Sequence, residues 1–128
     1  QATSFDFRSY GQELALCQRY FEKSYAIGTA VASSTSTGLF TFSGSTNGTN
    51  SVTMPLKFAV AKRGAPTMTG YLSGGTSGQW SYSRSGASGF VTVNFDLISE
   101  SSCRAYTDVG ASWAASTIEG HWTAASEL

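Results

Sequence analysis

Charge is scarce in this chain of 128 residues: eight Lys and Arg balance eight Asp and Glu, and together they make up 12% of it. A composition so sparse and neutral offers no basic patch for nucleic acid or for an acidic membrane surface. Histidine occurs once, at His121. A Ser-His-Asp or Cys-His site would have to run through that residue, and no nucleophile-elbow pattern accompanies it. No apolar run approaches the roughly 20 residues that a membrane-spanning helix needs. The opening Gln-Ala-Thr-Ser-Phe-Asp-Phe has neither the basic region nor the apolar stretch of a secretory signal. It also lacks an initiator Met, which reads as the C-terminal fragment of a longer chain. Cysteine is limited to Cys17 and Cys103. They leave room for one disulfide, but a small secreted scaffold would usually carry more bridges, so two small buried thiols are the plainer reading. No glycine motif sits between a strand and a helix to cradle phosphate.

What the chain does have is glycine (14 residues), aromatics (13%) and abundant Ser and Thr, with only two prolines. Many short strands joined by many turns fit that composition. The expected fold is all-β, an antiparallel β-sandwich of jelly-roll type with one short N-terminal helix, in a single domain over residues 1–128.

The stretch Ser51–Tyr71 carries the clearest pattern. Val52, Met54, Leu56, Phe58 and Val60 fall on alternate positions, which marks a long central strand with one face in a core. Pro55 within it suggests an edge position or a bulge. Lys62, Arg63 and Gly64 stop the run and read as a solvated basic corner, with Glu13 or Glu127 as conceivable partners. Thr67–Tyr71 is the return strand.

Elsewhere, Phe5 and Phe7 suggest an entry strand. Ser9 and Gln12 have capping-box spacing, and Leu14, Cys17, Tyr20 and Phe21 share a helical face, predicting a helix over Gln12–Lys23 that closes one end of the sandwich. Short strands are expected at Gly38–Phe42, Gln79–Ser83, Phe90–Ile98, Cys103–Val109 and Ile118–Thr123, about eight in all. Asn47-Gly48 is a strong turn signal. In Phe90–Ile98 the alternating apolar set is Val91, Val93, Phe95 and Leu97. Trp113 and Trp122 read as core or interface anchors.

Catalytic and metal chemistry are thinly supplied. Glu119 and His121 share a strand face, yet an isolated E-x-H has no third or fourth ligand spaced to complete a zinc site. Asp96, Glu100 and Asp108 are the only candidates for the paired carboxylates of a glycosidase, and scattered acids produce such pairs by chance. The chain therefore reads as a non-enzyme without a cofactor, and a binding surface is what remains. Trp80 and Tyr82, with Arg84 next in register, form one candidate platform for stacking on sugar rings and bonding hydroxyls; Tyr106 and Asp108 form a second. The alternative is that these aromatics belong to the core.

Three segments carry a resemblance. They are Glu13-Leu-Ala-Leu-Cys17-Gln-Arg19-Tyr20-Phe21-Glu-Lys23-Ser24, then Phe58-x-Val60-x-Lys62-Arg63-x-x-Pro66-Thr67-Met68, then Gly120-His121-Trp122-Thr-Ala-x-x-Glu127-Leu128. In this order they are similar to the C-terminal domains of tail fibres, tailspikes and related virion proteins of tailed bacteriophages. That resemblance implies a homotrimeric virion component of the tail, assembled in the host cytoplasm, whose β-sandwich recognises a host-surface glycan such as lipopolysaccharide or capsule. Assembly in a reducing compartment favours free thiols at Cys17 and Cys103. A domain that only trimerises, caps or decorates the virion is the alternative, and a glycan-degrading enzyme a third.

Overall fold

The structure is a computed structural model that describes residues 8–45, 51–109 and 116–127. It is all-β with one short helix. Helix α1 (Tyr10–Gln18) is followed by β1 (Phe21–Lys23), β2 (Phe40–Gly44), β3 (Ser51–Lys57), β4 (Thr67–Tyr71), β5 (Gln79–Arg84), β6 (Ala87–Asp96), β7 (Ser102–Asp108) and β8 (Ser116–Ala125). The entry strand at Phe5 and Phe7, the Asn47-Gly48 turn and Trp113 lie outside the described residues.

The organising element is β8. Its first half is flanked by β2 and β5, and its second half by β1 and β4, all antiparallel. From β5 the sheet continues through β6 and β7 to β3. Hydrogen bonding thus joins the eight strands into one curled antiparallel sheet. The segment Ser51–Lys57, expected to be central, pairs with β7 alone and ends the path, which is where Pro55 costs no ladder bond. Its alternation still holds: Val52, Met54 and Leu56 are buried, each worth about 1.5–3 kcal/mol of apolar transfer, while Pro55 and Lys57 face out. Strand pairing stops before Phe58, which turns into the core against Trp122, with ring centroids 6.0 Å apart. β4 pairs with β8 and not with β3.

The curl closes around Trp80, which is fully buried and donates its indole N–H to the His121 carbonyl at 2.9 Å. Glycine makes the room. A Cβ on Gly120 would lie 2.1 Å from Trp80 Cδ1, and one on Gly70 would lie 2.3 Å from Val93 Cγ1. Phe40 and Phe95 complete the ring of aromatics about the indole. Leu97, expected to continue the buried alternation of β6, is exposed instead. β6 ends at Asp96, and Leu97 sits in the hairpin turn with φ of 48°.

The helix also departs from expectation. Its capping box forms as read, with Ser9 Oγ accepting from the Gln12 N–H and the Gln12 side chain accepting from the Ser9 N–H. It ends at Gln18, because Phe21–Lys23 pair with Thr123–Ala125 as a strand. None of its residues is buried. What holds its C-terminal end is the corner that the sequence suggested was solvated. Lys62 is buried; its ammonium donates to the Gln18 carbonyl at 2.6 Å and pairs with the Glu22 carboxylate, 5.0 Å from the Phe58 ring centre. A cation at a helix C-terminus is favoured by the helix dipole as well as by the free carbonyls. Glu22 in turn accepts from the Ala59 N–H, and the Arg63 N–H donates to the Arg19 carbonyl. Ser126 bonds both the Tyr20 carbonyl and the Gly64 carbonyl. Residues 13–24, 58–68 and 120–127 therefore form one packed unit at one end of β8.

Candidate functional site

The five candidate binding residues do not form one site. Trp80 is the centre of the core and is 0% exposed. Tyr82, two residues on, faces the same way, half-buried, with its ring 3.1 Å from the Cβ position of Gly89 and its backbone opposite the buried Ile118. Trp80 is enclosed in the core and forms no exposed stacking platform, whereas the half-buried Tyr82 lines part of a groove that includes Phe90 and Glu119. Arg84, at the end of β5, lines an outer groove together with Ser43, Ser83, Ser85 and Ser116. Tyr106 and Asp108 lie on the outward face of β7, two strands away from β5. Tyr106 is half-buried beside the Arg104 guanidinium (6.0 Å to the ring centre), and Arg104 is bound bidentately by Asp96. That bond holds the Asp96 carboxyl below its ordinary range and raises Arg104.

Two of the three acids considered for a glycosidase pair, Asp96 and Asp108, stand apart from each other. Asp96 stands opposite Arg104, and Asp108 is four residues further along β7, about 13 Å away at strand rise.

His121 is fully buried and engaged at both ring nitrogens. Its Nε2 lies 3.0 Å from the Thr35 carbonyl, which can only accept, so Nε2 carries a proton and Nδ1 accepts from the Ser24 hydroxyl at 3.0 Å. Ser24 Oγ accepts in turn from the Trp122 N–H at 3.0 Å. The imidazole is stacked on Tyr25 with ring centres 3.8 Å apart, and burial raises the Tyr25 phenol above its ordinary range. The Ser-His contact thus pins the 24–39 segment over β8, with the serine oxygen occupied by a backbone donor and the imidazole enclosed. Glu119, on the same face of β8, points elsewhere. Among the described residues, no three His, Cys, Asp or Glu side chains gather as metal ligands.

The outward face of the β6–β5–β8–β2 region is different in kind. Register places Phe90, Ser81, Glu119 and Thr41 in one row across four strands, and Ser88, Ser83, Thr117 and Ser43 in the next. At a strand spacing of about 4.8 Å each row is about 14 Å long. Phe90, Ser81, Tyr82, Ser83, Ser88, Gly89, Thr117 and Glu119 line an open groove of about 480 Å³. Phe90 is 65% exposed, an aromatic ring held away from the core by strand parity. The Glu119 carboxylate lies 3.5 Å from the Ser81 hydroxyl, which also donates to the Glu119 carbonyl at 3.2 Å. The groove adjoins the one lined by Arg84, sharing Ser83 and Thr117 with it. An exposed ring, a row of hydroxyls and one carboxylate can stack on an apolar sugar face and bond the hydroxyls at its rim.

Of the residues lining this groove, sequence reasoning singled out Tyr82 for binding and missed Phe90, although one signal was present. In residues 90–97 the buried alternation runs through Val91 and Val93, so Phe90 has the opposite parity and must point outward. Nothing in the sequence placed Glu119 beside it; that depends on the register of β5 against β8.

Exposed apolar side chains also gather at the N-terminal end, where Tyr10, Leu16 and Phe21 stand on α1 and β1. No described helix is long and apolar enough to cross a membrane. Comparison of the chain with family models, with curated proteins and with solved structures gives no match in any of the three.

Proposed function

We propose that this chain is a non-catalytic receptor-binding domain of a tailed-phage tail fibre that recognises a glycan on the host cell surface. The observation that carries the reading is the outward row Phe90–Ser81–Glu119–Thr41, an aromatic ring followed by polar groups along a groove. Among the described residues that line the groove, Glu119 is the one carboxylate. The three segments similar to phage virion proteins support the reading as well, since they pack together as a single unit at one end of β8. They account for the scaffold, and the groove lies on strands outside most of them. A single open groove binds weakly. A homotrimer in the virion would raise its effective affinity by about 10²–10⁴-fold through simultaneous engagement. Lipopolysaccharide or capsule fragments from the host are expected to bind the chain, with binding lost in Phe90→Ala. Failure of every host-surface glycan to bind would overturn the reading.

The second reading, a structural domain that trimerises or caps the fibre, is favoured by α1. A nine-residue helix with no buried residue is marginal by itself; it exposes Tyr10 and Leu16, and Phe21 is exposed on the neighbouring β1. Under this reading light scattering gives a stable trimer, and Leu16→Glu with Phe21→Glu dissociates it while glycan binding is absent.

A further inference from the structure

The groove between Phe90 and Glu119 has a sign as well as a shape. Among the described residues that line it, the ionisable ones are Glu119 and the Tyr82 phenol, and none is Lys, Arg or His. Arg84, the nearest cation along β5, lines the adjoining groove with Ser43, Ser85 and Ser116. Among the described residues Glu119 forms no ion pair, and the 3.5 Å contact from Ser81 is a weak one that leaves most of its acceptor capacity unfilled. A carboxylate set among serine and threonine hydroxyls is suited to accept from vicinal hydroxyl groups, and bonds to a charged acceptor are stronger than neutral ones. The same carboxylate repels a uronate, a sialate or a phosphorylated sugar.

Resting on the glycan-binding reading above, we propose that this groove is a subsite for an uncharged pyranose and selects against acidic sugars. The ring of such a sugar is about as wide as one strand spacing. Stacked on Phe90, it directs its equatorial hydroxyls across β5 toward Ser81 and Glu119, which stand one and two strand spacings away, about 5 and 10 Å. Ser83 and Ser88, one row further along the same strands, meet the hydroxyls on the other rim. Specificity then comes from two elements of opposite kind, attraction of hydroxyls and exclusion of anions, both centred on Glu119.

The test uses the whole chain on an array of short neutral-hexose, N-acetylhexosamine, uronic-acid and sialylated oligosaccharides, followed by titration of the best binder. Neutral glycans are expected to bind at least tenfold more tightly than acidic ones of the same length. Phe90→Ala should lower affinity at least tenfold. Glu119→Gln should weaken neutral binding and shrink the discrimination against acidic glycans severalfold. Both residues are on the outward face, and a thermal melt matching the parent shows each variant folded. Preference for acidic glycans overturns the proposal, as does binding unchanged in both folded variants; the second outcome also removes the outward row as the support for glycan recognition, although glycan binding itself is then observed. Absence of binding to every class, host polysaccharide included, overturns both.

Discussion

The Lys62 ammonium and the Glu22 carboxylate form an ion pair with both side chains withdrawn from water, at 0% and 10% exposure. The pair ties the corner after β3 to the short strand β1, and through the Gln18 carbonyl to the end of α1. Removing one partner leaves the other charge enclosed. Lys62→Met is expected to cost about 3–5 kcal/mol in urea unfolding, and the double change Lys62→Met with Glu22→Leu markedly less, because no lone charge remains. A single-variant loss below about 1 kcal/mol would place the pair in solvent.

Gly120 is the second point where one atom decides. The Cβ of Gly120→Ala would sit 2.1 Å from Trp80 Cδ1 and 2.5 Å from Cγ, inside a core that has no space to yield. The expected cost is about 3 kcal/mol or more. Gly64→Ala, whose Cβ meets nothing within 4 Å, is the control and should leave the melt nearly unchanged. Tryptophan fluorescence during unfolding reports both.

The two thiols should separate cleanly by reactivity. Cys17 is exposed on α1, while Cys103 is buried and free, its thiol pushed up to about 11 by burial and the nearby Asp96 charge. An aromatic disulfide reagent at pH 8 is expected to titrate one thiol per chain rapidly and the second only after denaturation. Two fast thiols in the folded protein would contradict the placement of Cys103.

Asp96 gives a pH dependence with a definite sign. Its carboxyl is lowered in the folded protein by the Arg104 hydrogen bonds, so its contribution is present above the ordinary carboxyl value, about 3.9, and fades as pH falls through the lower folded one. Asp96→Asn should therefore be less stable than the parent at pH 7, with the two melting curves converging as pH falls through the lowered carboxyl value of the folded protein. The pair is half-exposed, so the gap is expected to be small.

Face parity was legible in the sequence; pairing was not. The alternation in Ser51–Lys57 correctly marks Val52, Met54 and Leu56 as inward, because strand geometry sends successive side chains to opposite faces. Alternation is silent on neighbours, so it could not show that this strand ends the sheet or that the polar-looking Ser116–Ala125 stretch occupies its middle. Gly120, His121 and Thr123 give that strand an unpromising pattern, yet each is buried for a local reason: the indole of Trp80, the Ser24 and Thr35 partners, and the flanking strands β1 and β4. Lys62 misled for a related cause. A lysine beside Arg and Gly reads as a wet turn, and its burial depends on a carboxylate 40 residues earlier. The same gap explains the site. Trp80 is the more conspicuous aromatic in sequence, but parity alone does not say which face meets the core, and Phe90 is the one left outside.

Strand β8 also imposes an order of events on the polypeptide as it is made. Four of the other seven strands, β1, β2, β4 and β5, find their partner in residues 116–125, the last strand in chain order. Until the ribosome has delivered that segment, β1, β2 and β4 lack the one strand partner they have among the described residues, and β5 has only β6. At about 5–20 residues per second, the wait from β1 to β8 lasts on the order of 5–20 seconds. A product broken off before residue 116 lacks the strand that would gather them, so incomplete synthesis and misfolding become the same defect.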